Sequence, residues 1–389
     1  MLRGAEGRAG HVSPFELFFD LVFVFAITQL SHTLLDHLTI EGVAQTVLLL
    51  MVVWQVWVTT AWVTNWFDPD HLAVRLMLAG VMFASLFMSV AIPDAFGERA
   101  LMFGVAVAVI HAGRAAFAYF ALRAERGPGT PLTSTFQRTL LWHLAAGVFW
   151  IAGGLASGVG LYVAWGIAVA MNIGAPMIGY FVPGLGSSRT GDWPVHGFHF
   201  AERCRLFMII ALGESFVATG GSYADSGASP AATAAFFVAF VSSVALWWVY
   251  FTRNEAAGRV LQASRDPGRL ARSAYTYLHL PMVAGIIAIA AADELVVAHP
   301  IDRASVASVG LTVGGAVLFL LAHALFEHLV FGSPPRSHLI AVGVLVALIP
   351  LGAVVSGVVF GAAVGLTLLG LAAWHSVEGR TQRAAPLTA

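Results

Sequence analysis

The sequence is built largely from apolar stretches of about 20 residues, which is the length needed to cross a lipid bilayer. Twelve such stretches can be drawn in the 389 residues, at 14–35, 43–64, 71–92, 99–121, 136–157, 160–182, 201–221, 230–251, 273–296, 305–326, 338–355 and 357–375. Only 11% of the residues are charged, against about 25% in a soluble globular protein. The sequence therefore predicts an all-α, polytopic membrane protein with about 12 transmembrane helices.

The arginines give an independent prediction of topology. All 20 basic residues are arginine, and cytoplasmic loops collect positive charge near membrane ends. With twelve spans and a cytoplasmic N-terminus, only Arg99 and Arg303 fall on the outer side. Both termini are therefore predicted to lie in the cytoplasm. The first span lacks an Ala-x-Ala cleavage pattern and is predicted to be retained rather than removed as a signal peptide.

Internal similarity predicts a duplication of six helices. Residues 21–29 align with 206–214, 62–65 with 251–254, and 114–117 with 323–326. This alignment predicts two six-helix membrane units, 1–195 and 196–389. Because six is an even number, the two units would share one orientation, as in transporters that place the substrate site between parallel repeats.

Several motifs resemble a known family. Segment 16–27 reads Glu-Leu-Phe-Phe-Asp-Leu-Val-Phe-Val-Phe-Ala-Ile, 199–203 reads His-Phe-Ala-Glu-Arg, 206–215 ends in Gly-Glu-Ser, and 279–281 reads His-Leu-Pro. Together they resemble the bacterial low temperature requirement protein A family over nearly the whole chain. The resemblance implies a multi-span protein of the bacterial inner membrane, tied to growth in the cold and without an established biochemical activity. Cys204 and Arg205 depart from the family pattern, which more often has an aromatic residue and a glycine there.

Two carboxylates lie near the start of the first span. Ser13, Pro14 and Glu16 fit a capping box at a helix start, so Glu16 has a structural explanation beside a functional one. Asp20 lies one turn deeper, where capping no longer applies. Ionisable groups in a membrane usually face a bundle interior, a partner charge or a water-filled path. We predict that Asp20 takes part in a relay, with structural ion pairing as the alternative.

The seventh and fourth spans carry the other deep charges. His199, Arg203 and Glu214 share one helix face, flanked by Glu202. Glu214 would lie near the bilayer midplane, either neutral or paired. Arg114, one turn from His111, keeps its proton and must meet an acid, backbone carbonyls or the aqueous interface. Its predicted partners are Asp20, Glu202 and Glu214, and snorkelling to the cytoplasmic surface is the alternative.

Further polar residues complete the predicted binding or relay set. His323 and Glu327 place a histidine and a carboxylate four residues apart on the tenth span. Ser215 and His279 belong to the motifs that carry the family resemblance. Two patterns, His196-x-x-His199-x-x-Glu202 and His323-x-x-x-Glu327-His328, contain metal-ligating residue types. Neither has cysteine ligands or a diagnostic loop, so no metal and no other cofactor is predicted.

These residues favour a secondary transporter, or a proton- or ion-coupled carrier, of an unidentified small solute. In this interpretation Asp20, Glu214 and Arg114 form a charge relay between the two six-helix units. An ion channel is one alternative, because Phe19-Asp20 followed by Phe25-Ala-Ile loosely resembles the Phe-Ser-Asp signature of lysosomal-type potassium channels. A membrane-embedded, lipid-related enzyme is the other, although no catalytic residue is assigned.

Composition limits the partners. The chain has no lysine, which argues against a nucleotide-binding glycine loop and ATP hydrolysis. A net charge of -1 gives no indication of a nucleic-acid partner. The expected partners are the lipid bilayer and a small solute or ion. Oligomeric state is left open by the sequence, with a homo-oligomer among the options.

Overall fold

A computed structural model of the protein describes residues 1–3, 12–332 and 336–384. Within these ranges the chain is helical, with three isolated β-bridges and no β-strand. The helices are α1 Pro14–Asp36, α2 Ile40–Trp66, α3 Leu72–Ala91, α4 Ala100–Arg126, α5 Pro131–Leu155, α6 Val159–Gly174, α7 Gly197–Asp225, α8 Pro230–Phe251, α9 Asn254–Ala263, α10 Pro267–Leu270, α11 His279–Ala298, α12 Val306–Phe331, α13 Arg336–Leu348 and α14 Gly357–Ala384. The predicted all-α class is confirmed.

Ten helical segments in the described part of the chain are long and apolar enough to cross a membrane. They correspond to all the predicted spans except those at 136–157 and 160–182. Helices lie at these two positions as well, but α5 begins with a polar stretch that includes Gln137 and Arg138, and α6 has only 16 residues. The structure therefore shows a multi-pass, helical membrane architecture with at least ten candidate spans.

Side-chain caps set the beginnings of several helices. The Ser13 hydroxyl accepts a hydrogen bond from the Glu16 amide, and the Glu16 carboxylate accepts one from the Ser13 amide, with Pro14 in the first turn. Thr130 caps α5, and Ser229 caps α8 in the same way, each followed by proline. Such caps satisfy amides that have no partner inside the helix.

The described residues divide into two compact units. Unit 1 is Met1–Arg203 with Gln262–Ala271, and unit 2 is Cys204–Leu261 with Arg272–Ala389. In unit 1, α4 packs against α3 and α5, α5 against α6, and α2 against α6. In unit 2, α12 packs against α11 and α13, α13 against α14, and α8 against α14. Unit 1 has a tryptophan-rich core that includes Trp57, Trp150 and Trp165.

The first helix, α1, shows which kinds of side chain are exposed and which are buried. Glu16, Phe19 and Asp20 are buried, whereas Leu17 and Leu21 on other faces of α1 are 43% and 59% exposed. This arrangement is the reverse of a soluble protein, because the exposed side chains are large and apolar while the charged ones are inside. It suits a helix that borders hydrocarbon on one side and a polar interior on the other.

Candidate functional site

Unit 1 contains a buried charge cluster, which we define as Arg3, Glu16, Asp20, His199 and Arg203. Its members come from the N-terminal segment, the first turns of α1 and the first turns of α7. Glu16, His199 and Arg203 are 0% exposed, and Asp20 is 2% exposed. Charged groups this completely buried persist only where partner charges and hydrogen bonds replace water.

Arg203 joins the two carboxylates of α1. Its Nη2 donates to Asp20 Oδ1 at 2.7 Å, and its Nη1 lies 3.0 Å from Glu16 Oε1. The guanidinium also lies over the ring of Phe19, 5.7 Å from its centroid, and over that of Trp57 at 5.8 Å. One cation therefore holds both acids, which are four residues apart and so lie on one face of the helix.

Asp20 has an incomplete set of partners. The indole Nε1 of Trp57 donates a hydrogen bond to Asp20 Oδ1 at 2.8 Å, so this oxygen receives two donors. The other oxygen, Oδ2, is buried and has no hydrogen-bond partner in the described part of the chain. A carboxylate with one fully bonded oxygen and one vacant oxygen is suited to accept a proton.

His199 connects the cluster to α2. The amide Nδ2 of Asn65 donates to His199 Nδ1 at 3.2 Å, so Nε2 carries the proton and donates to Glu16 Oε1 at 2.9 Å. Nη2 of Arg3 lies 3.1 Å from the same ring nitrogen, Nε2. Asn65 also bonds the backbone of His196 through both ends of its amide. This pattern fixes a neutral imidazole in one tautomer and orients it towards the carboxylate.

Arg3 closes the cluster from the N-terminal side. Its Nη2 donates to the Thr64 carbonyl at 3.1 Å and lies 3.5 Å from Glu16 Oε2. Burial lowers the pKa of Arg3 below its ordinary value, and Glu16 and then Asp68 counteract this. With His199 neutral, two guanidiniums balance two carboxylates.

The capping and functional interpretations of Glu16 are both compatible with this geometry. Glu16 Oε2 completes the predicted capping box with Ser13, and Oε1 contacts His199 and Arg203. The cap therefore also holds the carboxylate in position for the cluster.

Arg114 contacts uncharged groups of α2 and α4. Its guanidinium donates to the Thr60 hydroxyl at 2.8 Å and to the Val56 carbonyl at 3.2 Å, and Nη2 lies 2.8 Å from His111 Nδ1. Among the described residues, no ion pair joins Arg114 to Asp20, whose cation is Arg203. The reason is that the first turns of α7 lie against α1, whereas Arg114 faces α2. Arg114 therefore meets a backbone carbonyl, which is one of the three environments predicted from the sequence.

The remaining predicted residues of α7 and α11 lie in different surroundings. Glu202 is half-buried, and Glu214 and Ser215 are buried in the part of α7 that belongs to unit 2. His279 donates from Nδ1 to the Ala274 carbonyl at 3.1 Å and accepts from the Tyr250 hydroxyl at 2.9 Å. Both ring nitrogens of His279 are thus used by structural hydrogen bonds.

Unit 2 brings His323 and Glu327 together with two histidines that the sequence did not associate with them. His323 Nδ1 lies 2.8 Å from His338 Nε2, and the His338 ring lies 4.8 Å from that of His375. His323, Glu327 and His338 each offer one ligand atom within 4.8 Å of the others, close enough to hold a metal ion.

Sequence reasoning missed several residues that complete these sites. Trp57 was not among the predicted site residues, and Asn65 entered only the repeat alignment. Arg3 served only as a topology marker. Their buried polar contacts depend on the packing of α1, α2 and α7, for which no local sequence pattern exists.

Comparison with known proteins places the chain in a family. A model of the bacterial low temperature requirement A protein (LtrA) family matches residues 11–373. An uncharacterized protein of Rhizobium meliloti (strain 1021) is 34% identical over 365 residues, which cover 93% of this chain and 88% of the relative. No solved structure matches the chain significantly. The residues that form the buried charge cluster of unit 1, except Arg3, lie within the matched region, and the chain belongs to the bacterial low temperature requirement A family.

Proposed function

We propose that this protein is a proton- or ion-coupled secondary transporter of a small solute in the bacterial inner membrane. The buried charge cluster is the observation that supports this proposal. Ionisable residues inside membrane helices are costly and are found mostly in substrate paths, ion paths and proton relays. A cluster built only for stability would be expected to give every carboxylate oxygen a partner, whereas Asp20 Oδ2 has none among the described residues.

The cluster supplies a two-state element. When Asp20 is ionised, Arg203 holds both Asp20 and Glu16, and the first turns of α1 and α7 are fixed to each other. When Asp20 takes up a proton, its attraction for Arg203 weakens, and Glu16 becomes the main anionic partner of Arg203. Proton uptake thus changes which contacts hold the two helices, and such a change could be coupled to opening on one side. Glu214, buried in α7, is a second proton-binding candidate.

The proposal includes the complete predicted topology of twelve spans, two repeats at 1–195 and 196–389, and cytoplasmic termini. Internal packing supports the repeat. The pairs α3/α4, α4/α5, α5/α6 and α2/α6 of unit 1 correspond to α11/α12, α12/α13, α13/α14 and α8/α14 of unit 2. Each corresponding pair occupies the same position in the two sets of six long helices.

Proton flux into liposomes tests the role of Asp20. The purified protein is reconstituted with a trapped pH-sensitive dye, and a potassium diffusion potential drives proton entry while pools of candidate solutes are added. We expect a solute-dependent flux that falls at least about tenfold in Asp20→Asn, since the side chain can no longer exchange a proton. The matched control is Asp36→Asn, which removes an exposed carboxylate from the same helix.

Equal flux in wild type and Asp20→Asn would show that the cluster takes no part in the transport mechanism.

Planar-bilayer recordings separate a carrier from a channel. Saturable, solute-dependent transport without single-channel currents supports the proposal, and resolved ohmic currents contradict it.

A further inference from the structure

The histidines of unit 2 form a second polar site that the proposed transport mechanism does not use. We define the histidine cluster as His323 and Glu327 on α12, His338 on α13 and His375 on α14. None of the four is more than 4% exposed. Three neighbouring helices therefore direct imidazoles and a carboxylate to one buried point.

Distances in the histidine cluster are close to those that a metal ion requires. Nδ1 of His323 and Nε2 of His338 are 2.8 Å apart, and the donor atoms of His323, Glu327 and His338 lie within 4.8 Å of one another. Two nitrogens bound to one tetrahedral Zn²⁺ at 2.0–2.1 Å are about 3.3 Å apart. A small movement of either ring would therefore create the coordination geometry.

Hydrogen bonding alone does not account for this arrangement. Nδ1 of His338 is a buried nitrogen without a hydrogen-bond partner among the described residues. The contact between His323 and His338 can form with either ring as the donor, and in both of these tautomer pairs Nδ1 of His338 stays without a partner among the described residues. A metal ion would instead accept electron pairs from both rings, and the carboxylate would supply negative charge.

Two neighbouring residues contact the cluster from its edge. Arg253, which is 38% exposed, lies 3.6 Å from Glu327 Oε1, a longer separation than a strong ion pair. Ser337 Oγ lies 3.2 Å from His375 Nε2, which fixes the ring that packs on His338. His375 is outside the group of three residues that could hold an ion, but its ring packs on His338 and limits how that ring can turn.

We propose that His323, Glu327 and His338 bind one divalent transition-metal ion of the Zn²⁺ type. Two histidines and one carboxylate are a donor set typical of such ions. Three protein ligands leave one position of a tetrahedral ion for water or an exchangeable ligand. The sequence pattern contained His323 and Glu327 but pointed to His328, which the structure places on the exposed face of α12.

Metal content tests the site directly. The full chain is purified in detergent with a tag free of histidine, stripped with a chelator, and dialysed against buffered ZnCl₂. We expect about one zinc per chain by mass spectrometry, and a lower zinc affinity by at least tenfold in His323→Gln and in His338→Gln. The control His328→Gln removes a histidine from the same helix and should retain wild-type zinc binding. Co²⁺ in place of Zn²⁺ should give the visible bands of a tetrahedral site in wild type and in His328→Gln.

A thermal measurement separates loss of metal from loss of fold. Zinc should raise the unfolding temperature of the wild type and of His328→Gln but not that of Glu327→Gln, which keeps the size of the side chain. Absence of stoichiometric zinc in the wild type would overturn the proposal. So would wild-type zinc affinity in the His323 and His338 variants, or an equal loss in His328→Gln.

Discussion

At the scale of single residues, the structure shows how one arginine can serve two acids. Arg203 contacts Glu16 and Asp20 from a position where all three side chains are excluded from solvent. Exchanging a buried ion pair for apolar residues can cost little, but removing one partner leaves a charge without compensation. The cluster is therefore most sensitive to changes at Arg203, because two carboxylates depend on it.

Arg203→Met should destabilise the protein by about 3–5 kcal/mol, since Glu16 and Asp20 lose their shared cation inside the protein. The free energy of unfolding can be measured in mixed micelles with increasing sodium dodecyl sulfate. Arg75→Met is the control, because Arg75 and Asp70 form an ion pair in which both side chains are nearly half exposed. That change should cost at most about 1 kcal/mol. Similar costs for the two variants would mean that the buried pairings contribute little.

At the scale of helices, close approach depends on glycine where two backbones meet. Gly285 of α11 and Gly315 of α12 face each other, and a Cβ added at Gly285 would lie 2.5 Å from the Gly315 carbonyl oxygen. Small residues at such crossings let membrane helices pack backbone to backbone. The α11/α12 contact positions the start of α11, where His279 bonds Tyr250.

Gly285→Ala should cost about 1–3 kcal/mol, because the added methyl group forces α11 and α12 apart. Unfolding in mixed micelles measures this effect. Gly314→Ala is the matched control, since a Cβ there has nothing within 4 Å. Alanine has the higher helix propensity, so the control should be neutral or slightly stabilising. An unchanged free energy of unfolding in Gly285→Ala would show that α11 and α12 can accommodate a Cβ at this crossing.

At the scale of the whole molecule, α5 and α6 decide between ten and twelve spans. Ser157 is exposed in the short connection between these helices. If both helices cross the membrane, this connection lies outside the cell, because the N-terminus is predicted to be cytoplasmic.

Cysteine labelling tests this topology in a Cys204→Ser background. Ser157→Cys should react in intact spheroplasts with a reagent that cannot cross membranes. Glu98→Cys, predicted to be outside, is the positive control, and Arg126→Cys, predicted to be inside, should react only after lysis. Labelling of Ser157→Cys only after lysis would exclude the twelve-span topology and favour one in which α5 and α6 do not cross.

The sequence correctly predicted those properties that depend on residues close together in the chain. The long apolar stretches were predicted to be helices, and the structure confirms this. The prediction was possible because a backbone in lipid must satisfy its hydrogen bonds within its own segment. The capping box at Ser13 and Glu16 was also predicted, since its two partners are three residues apart. The family could be recognised from motifs of a few residues each.

The sequence did not predict which residues pair when they lie far apart along the chain. Asp20 was one of three possible partners predicted for Arg114, but its cation is Arg203, 183 residues away in sequence. His323 was associated with the neighbouring His328, but its partner is His338 on another helix. Sequence by itself determined that the chain is helical, apolar and of the low temperature requirement A family. Only the tertiary structure decided which charges and imidazoles meet, because that depends on how whole helices pack rather than on the spacing within any one of them.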